Sequence, residues 1–291
     1  MGRTLTRLAV THPLEADCQL VGTLEQLDPS QPTQGRKIAL ILHGTLGHKD
    51  YLFQKALASK LPLDSFRFDF RGNHESGGVW KQGAMHEDLE DIQVVVDHLK
   101  ANYGYVVDLV VGHSRGSMCG FRWVSTSEDG KKASAFVNVS GRYRVEKIVE
   151  NAGVKLWLDG FAKQGYFEWE AVVARKPVRA KVTPEDLKSF MSWDTSFVWN
   201  EFPAHTDVLT IHGLKDEVVP CYDALIYTHA LSSRSPGTTT LHMVEDANHN
   251  FTGHGHKNEV VETILRWWSS KEKTQLKPTG ISLAADIKSN L

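Results

Sequence analysis

The sequence predicts an α/β fold, a mostly parallel central sheet flanked by helices and interrupted by one helical insertion. Three observations carry this expectation. From Lys37 onward, short apolar runs alternate with longer segments of helical periodicity, as in parallel strands joined by crossover helices. The apolar run at 106–111 leads straight into Gly112-His113-Ser114-Arg115-Gly116 and then into a helix-compatible stretch, so a strand turns sharply into a helix through a serine. Between Gly141 and about His205 the alternation breaks, and several helical patterns stand where one crossover is expected.

Taken in order, residues 5–10 and 19–27 are expected as two opening strands joined around His12-Pro13, forming an antiparallel edge, with a loop at 28–32. Further strands follow at 38–42, 66–70, 106–111, 135–139, 208–211 and 239–244, and helices at 51–60, 86–102, 114–126, 221–231 and 258–269. The helix at 86–102 shows the signal: Leu89, Ile92, Val95, Val96 and Leu99 recur at helical spacing, while Glu90, Asp91, Asp97 and Lys100 take other faces. Inside the insertion, Thr183-Pro184-Glu185-Asp186 should open a helix, with threonine as N-cap, proline at the first position and acids in the first turn. Periodicity is lost after Ser270. The expected plan is a core of residues 1–140 and 206–270, an insertion at 141–205 and a loosely held tail at 271–291.

With 291 residues, of which 41% are hydrophobic, the chain can bury a full core, and one domain with an insertion is expected. A formal net charge of −2 gives no footprint for nucleic acid or an anionic membrane surface. Cys18, Cys119 and Cys221 are few, widely spaced and without metal-ligand spacing, which points to a reducing compartment. The first twenty residues lack an apolar signal region and no run approaches a membrane span, so a soluble, cytoplasmic protein without stable membrane insertion is expected. The sequons at Asn138 and Asn250 and the terminal patterns at Gly2 and at Ser289-Asn290-Leu291 are short enough to recur by chance.

Ser114 has candidate partners in a definite order. His43-Gly44-Thr45 follows the strand at 38–42, Asp216 closes His212-Gly213-Leu214-Lys215-Asp216, and His249 closes Asp246-Ala247-Asn248-His249. Each falls just beyond the carboxyl end of an expected strand, where open α/β sheets place their chemistry. On these residues, and on Phe68-Asp69-Phe70-Arg71-Gly72-Asn73-His74-Glu75-Ser76, the chain resembles α/β-hydrolase-fold serine hydrolases of the esterase, lipase and serine-aminopeptidase-like group, close to small intracellular esterases. The resemblance runs from Lys37 to about Trp268. It departs at His74, where the group usually has glycine, and at Arg115, where a small or amide residue is usual.

The resemblance implies Ser114 as nucleophile, His249 as base and Asp216 as the acid that orients it, with Glu217 the immediate competitor. His242, His254 and His256 are less suitably placed, and Gly253-His254-Gly255-His256 lacks the accompanying ligands of a metal site. The backbone N–H groups of Thr45 and Arg115 would form the oxyanion hole. His43 is expected to shape that loop, Asp69 and Arg71 to fix the adjoining one, and the Arg115 side chain to enter a structural ion pair, with recognition of an acidic substrate group as the alternative. In this group the insertion is usually a cap, and about half of its aromatic residues would fill its own core. Trp157, Trp169, Trp193 and Trp199 are the candidates to line a substrate pocket. The implied activity is hydrolysis of carboxylic esters of small to medium size, without cofactor or metal. The same residues would serve a thioesterase, lactonase, acylglycerol lipase or aminopeptidase, and a non-catalytic binding protein on this scaffold remains open, as does a homodimer.

Overall fold

The computed structural model describes residues 3–273 and 280–283. The patterns noted at Gly2 and at Ser289-Asn290-Leu291, and most of the expected tail, lie outside these residues. Among the described residues nine strands form one sheet: β1 Thr4–Thr11, β2 Gln19–Gln26, β3 Lys37–Leu42, β4 Asp64–Phe68, β5 Val106–His113, β6 Ala135–Val139, β9 Asp207–Gly213, β10 Thr239–Val244 and β11 Gly280–Leu283. Their order is β1-β2-β4-β3-β5-β6-β9-β10-β11. β2 pairs antiparallel with β1 and β4, and every later pairing is parallel. The expected antiparallel edge is therefore present.

Alternation of side chains along each strand divides the interior in two. On one face Ile38, Leu40, Leu42, Val110 and Phe136 pack under helices α2 (Met85–Tyr103), α3 (Arg115–Thr126) and α6 (Tyr222–Leu231). Facing the other way, Ala39, Ile41, Val111, Val137 and Ile211 pack under α1 (Gln54–Lys60) and α7 (His256–Lys273). With both faces covered, the central strands are buried along almost their whole length, which is why they read as continuous apolar runs.

The insertion between β6 and β9 departs from a wholly helical reading. Besides α4 (Ala152–Gln164) and α5 (Pro184–Met191) it contains an antiparallel hairpin, β7 (Phe167–Val173) and β8 (Lys176–Val182). β7 alternates strictly, with Phe167, Trp169, Ala171 and Val173 inward and Glu168, Glu170 and Val172 outward. Its two-residue turn, Ala174-Arg175, has φ of 49° and 67°. Both values suit a mirror-image hairpin turn, whose usual Asn-Gly signal this sequence lacks. α5 begins as expected: the Thr183 hydroxyl accepts from Asp186 N–H at 3.2 Å, and the Asp186 carboxylate accepts from Thr183 N–H at 3.0 Å.

The tail is also corrected. α7 continues to Lys273, and β11 adds a parallel strand to β10 with Leu241 opposite Ile281, covering an edge that would otherwise be open.

Candidate active site

β5 ends at His113 and α3 begins at Arg115, so Ser114 alone makes the turn, with φ 52° and ψ −118°. Few L-residues adopt such angles, and the strain is held by the surroundings. The Ser114 N–H bonds the Val139 carbonyl at 2.8 Å, and the Ser117 hydroxyl donates to the Gly112 carbonyl at 2.7 Å. Glycine is required on either side because a Cβ at Gly112 would stand 2.5 Å from Ser117 Cα, and one at Gly116 would stand 2.5 Å from the His43 carbonyl oxygen. The tight turn and close approach lift the Ser114 hydroxyl above the sheet.

Two loops at the carboxyl ends of β9 and β10 bring Asp216 and His249 to it. Ser114 Oγ lies 3.0 Å from His249 Nε2, and His249 Nδ1 lies 2.8 Å from Asp216 Oδ2. The Asp216 side chain is buried. Its Oδ1 accepts from the Val218 and Val219 N–H groups at 2.9 and 2.7 Å, and Oδ2 also lies 3.2 Å from His212 Nε2. Burial alone would raise its pKa, but the hydrogen bonds from His212 and His249 hold it well below the usual carboxylate range. Asp216 is thus a fixed anion at neutral pH. Glu217, the competitor, is exposed, and its carboxylate reaches only the His249 N–H, at 3.5 Å. His242 bonds Glu259 beneath α7, and neither it nor His254 nor His256 lines the cavity before Ser114.

Thr45 and Arg115 both border that cavity beside the serine. Arg115 is the first residue of α3, where a helix has backbone N–H groups to spare. The loop carrying Thr45 is braced by His43. His43 Nε2 accepts from Phe70 N–H at 3.0 Å, which places the proton on Nδ1 for donation to the Gly44 carbonyl at 2.8 Å. Burial lowers its pKa and keeps it neutral, so it shapes the loop as expected. Asp69 and Arg71 fix the neighbouring loop through Lys49 and Asp91 respectively. At His74, where the resemblance expects glycine, φ is 47°, a value glycine adopts without strain.

The side chain of Arg115 is committed elsewhere. It donates from Nε to Asp88 Oδ2 at 2.5 Å and from Nη1 to the Gln82 carbonyl at 2.6 Å, within a buried ion pair beside the Trp80 ring. The structural ion pair, rather than substrate recognition, is what the fold contains.

The cavity has a volume of about 550 Å³ and is roofed by the insertion, with Val154, Trp157, Phe167, Trp169 and Phe190 opposite Ser114, Met118 and His249. Trp157 and Trp169 line it. Trp193 and Trp199 do not reach it: the Arg122 guanidinium lies over the Trp193 ring, and Trp199, 41% exposed, packs on His229 and donates to the Tyr143 hydroxyl. Both follow α5, where the chain has already turned back toward β9.

Several residues at this site had no role in the sequence reading. His113 donates from Nε2 to the His249 carbonyl at 3.1 Å, and burial pushes its pKa down to about 3. His212 supports Asp216. Asn151 donates to the Val218 carbonyl at 2.9 Å, and Arg142 donates to the same oxygen. The only prior signal for Arg142 is its place just past the carboxyl end of β6. For a metal, the one carboxylate and histidine cluster among the described residues is Asp69, His74 and Glu75, and the Lys49 ammonium already bonds both of its carboxylates. Among the described residues no helix is long and apolar enough to cross a membrane.

Residues 140–275 match the prolyl oligopeptidase family, a span that includes Asp216 and His249 but not Ser114. The uncharacterized protein YDL057W of Saccharomyces cerevisiae is 25% identical over 244 residues, covering 75% of this chain and 69% of its own. Among solved structures, Est1E of Butyrivibrio proteoclasticus with ferulic acid bound has a TM-score of 0.68 at 15% identity, covering 92% of this chain and 100% of its own. The Pyrococcus furiosus esterase Pf2001 has a TM-score of 0.66 at 17% identity, with 92% and 91% covered. A putative hydrolase from Agrobacterium vitis S4 has a TM-score of 0.66 at 19% identity, with 91% and 98% covered. What is shared at these identities is the fold.

Proposed function

We propose that this α/β-hydrolase-fold protein is a serine hydrolase that cleaves carboxylic esters of small to medium size through an acyl-enzyme on Ser114. The observation that carries the reading is the hydrogen-bonded series Ser114, His249, Asp216 facing a largely apolar cavity beneath the insertion. As Ser114 Oγ bonds to the acyl carbon, its proton passes to His249 Nε2, and the carbonyl oxygen becomes an oxyanion held by the N–H groups of Thr45 and Arg115. The imidazolium is stabilised by Asp216 and returns the proton to the departing alcohol. Water then attacks the acyl-enzyme with His249 again as base, releasing the acid and restoring the hydroxyl. The insertion, acting as a cap, would exclude water from the charged intermediate and select substrates by shape.

A fluorophosphonate probe should label the wild type and not Ser114→Ala, and that variant should lose ester turnover by about 10³-fold or more while staying folded. Unlabelled wild type with no turnover of any ester would sink the reading. The match to the prolyl oligopeptidase family favours peptide hydrolysis as a second reading, because the same groups cleave amides. A proline anilide cleaved faster than the matched ester would decide for it.

A further inference from the structure

Four arginines are buried among the described residues, Arg67, Arg71, Arg115 and Arg142. Three lie in ion pairs: Arg67 with Glu25 and Asp50, Arg71 with Asp91 and Glu15, Arg115 with Asp88. Arg142, only 4% exposed, has no carboxylate within 4 Å among the described residues. One nitrogen, Nη2, donates to the Val218 carbonyl, while Nη1 is buried with no hydrogen-bond partner. The nearby acids are committed. Asp216 takes the four N–H groups described above, and Asp223 accepts from Arg144 Nε at 2.6 Å and from the N–H groups of Tyr143 and Arg144. Arg142 also lines the cavity that holds Ser114.

A buried cation without a counter-ion is costly, and an unpartnered donor adds to the cost. Burial disfavours the charged guanidinium here, so an arriving anion relieves an existing penalty. We infer that Arg142 is a substrate-anchoring residue, and that the preferred substrates are esters carrying a second, ionised carboxyl group that the guanidinium of Arg142 binds inside the cavity. The other charged wall residue of note, Glu217, is exposed at the mouth, so an anionic substrate end is favoured toward Arg142 and disfavoured toward the opening. The apolar wall of Trp157, Trp169 and Phe190 would then accommodate the carbon chain between the two ends. This inference rests on the ester-hydrolase reading for its kinetics but not for its binding arm.

The kinetic arm compares p-nitrophenyl monoesters of succinic, glutaric and adipic acids with the neutral butanoyl, pentanoyl and hexanoyl esters. The ratio of kcat/KM, charged over neutral, should exceed one in the wild type for at least one chain length. It should fall at least tenfold in Arg142→Met and be partly restored in Arg142→Lys. If Arg142 only ties down the loop of Asp216, the Met variant will slow both esters alike and leave the ratio unchanged, which overturns the inference, as does a wild-type ratio below one at every length. The binding arm uses Ser114→Ala protein: glutarate or adipate should raise its Tm where pentanamide does not, and adding Arg142→Met should remove the shift. Absence of any carboxylate-dependent shift overturns the anion site. Failure of all esters together with a retained, Arg142-dependent shift would reject the hydrolase reading and keep the site.

Discussion

Replacing Asp216 by asparagine tests the order of the site most directly. In the folded protein one carboxylate oxygen faces His249 Nδ1 at 2.8 Å while the other accepts two loop N–H groups at 2.9 and 2.7 Å. An amide keeps the shape, so the loop retains an acceptor when the amide oxygen stays on Val218 and Val219. Its NH₂ then faces Nδ1, which can no longer carry a proton there, and the tautomer with Nε2 protonated cannot accept from Ser114. The negative charge that stabilises the imidazolium is also gone. Loss of both effects is expected to lower kcat by about 10⁴-fold, or roughly 5.4 kcal/mol of transition-state stabilisation. Steady-state turnover of a p-nitrophenyl ester, with Tm measured alongside, is the assay. Glu217→Gln should stay within about threefold of the wild type, because Glu217 reaches only a backbone N–H at 3.5 Å. If Asp216→Asn retained a tenth of the wild-type rate while Glu217→Gln lost about 10³-fold, the acid would be Glu217 and the geometric reasoning would fail.

Asp88→Ala leaves the buried Arg115 without its counter-ion, so a stability loss of about 3–5 kcal/mol is expected in denaturant unfolding; unchanged stability with altered substrate preference would return Arg115 to substrate recognition. Trp157→Phe and Trp169→Phe should reorder ester preferences by roughly tenfold to two hundredfold, whereas Trp193→Phe and Trp199→Ala should not, and the converse ranking in a substrate panel would misplace the pocket wall. Acid should weaken the fold through His113: the unfolded side chain binds a proton below about pH 6.5, and the folded one only near its pKa of about 3. Stability is therefore lost as pH falls between those values. Going from pH 7 to pH 5, wild type should lose about 2 kcal/mol more than His113→Gln in urea unfolding, and parallel curves for the two proteins would show that His113 is not held neutral.

The sequence by itself determined the frame, and its resemblance to the esterase group singled out the three residues of the candidate triad. Parallel strands buried on both faces must be apolar throughout, so β3, β5, β6, β9 and β10 were legible within a residue or two. The turn at Ser114 was legible because it needs glycine on either side, and Asp216 and His249 because the fold places its polar chemistry past the carboxyl ends of strands. The hairpin β7–β8 was not, since Ala174-Arg175 carries none of the residues that favour positive φ. Four tryptophans in one insertion announced an aromatic cluster, but their directions depend on how α4, the hairpin and α5 pack, and only packing sent Trp157 and Trp169 to the cavity and Trp193 and Trp199 away from it. Counter-ions are likewise long-range facts. Arg115 and Asp88 are 27 residues apart, and whether a buried arginine is paired, as there, or unpaired, as at Arg142, depends on which elements the sheet order brings together, information no local spacing contains.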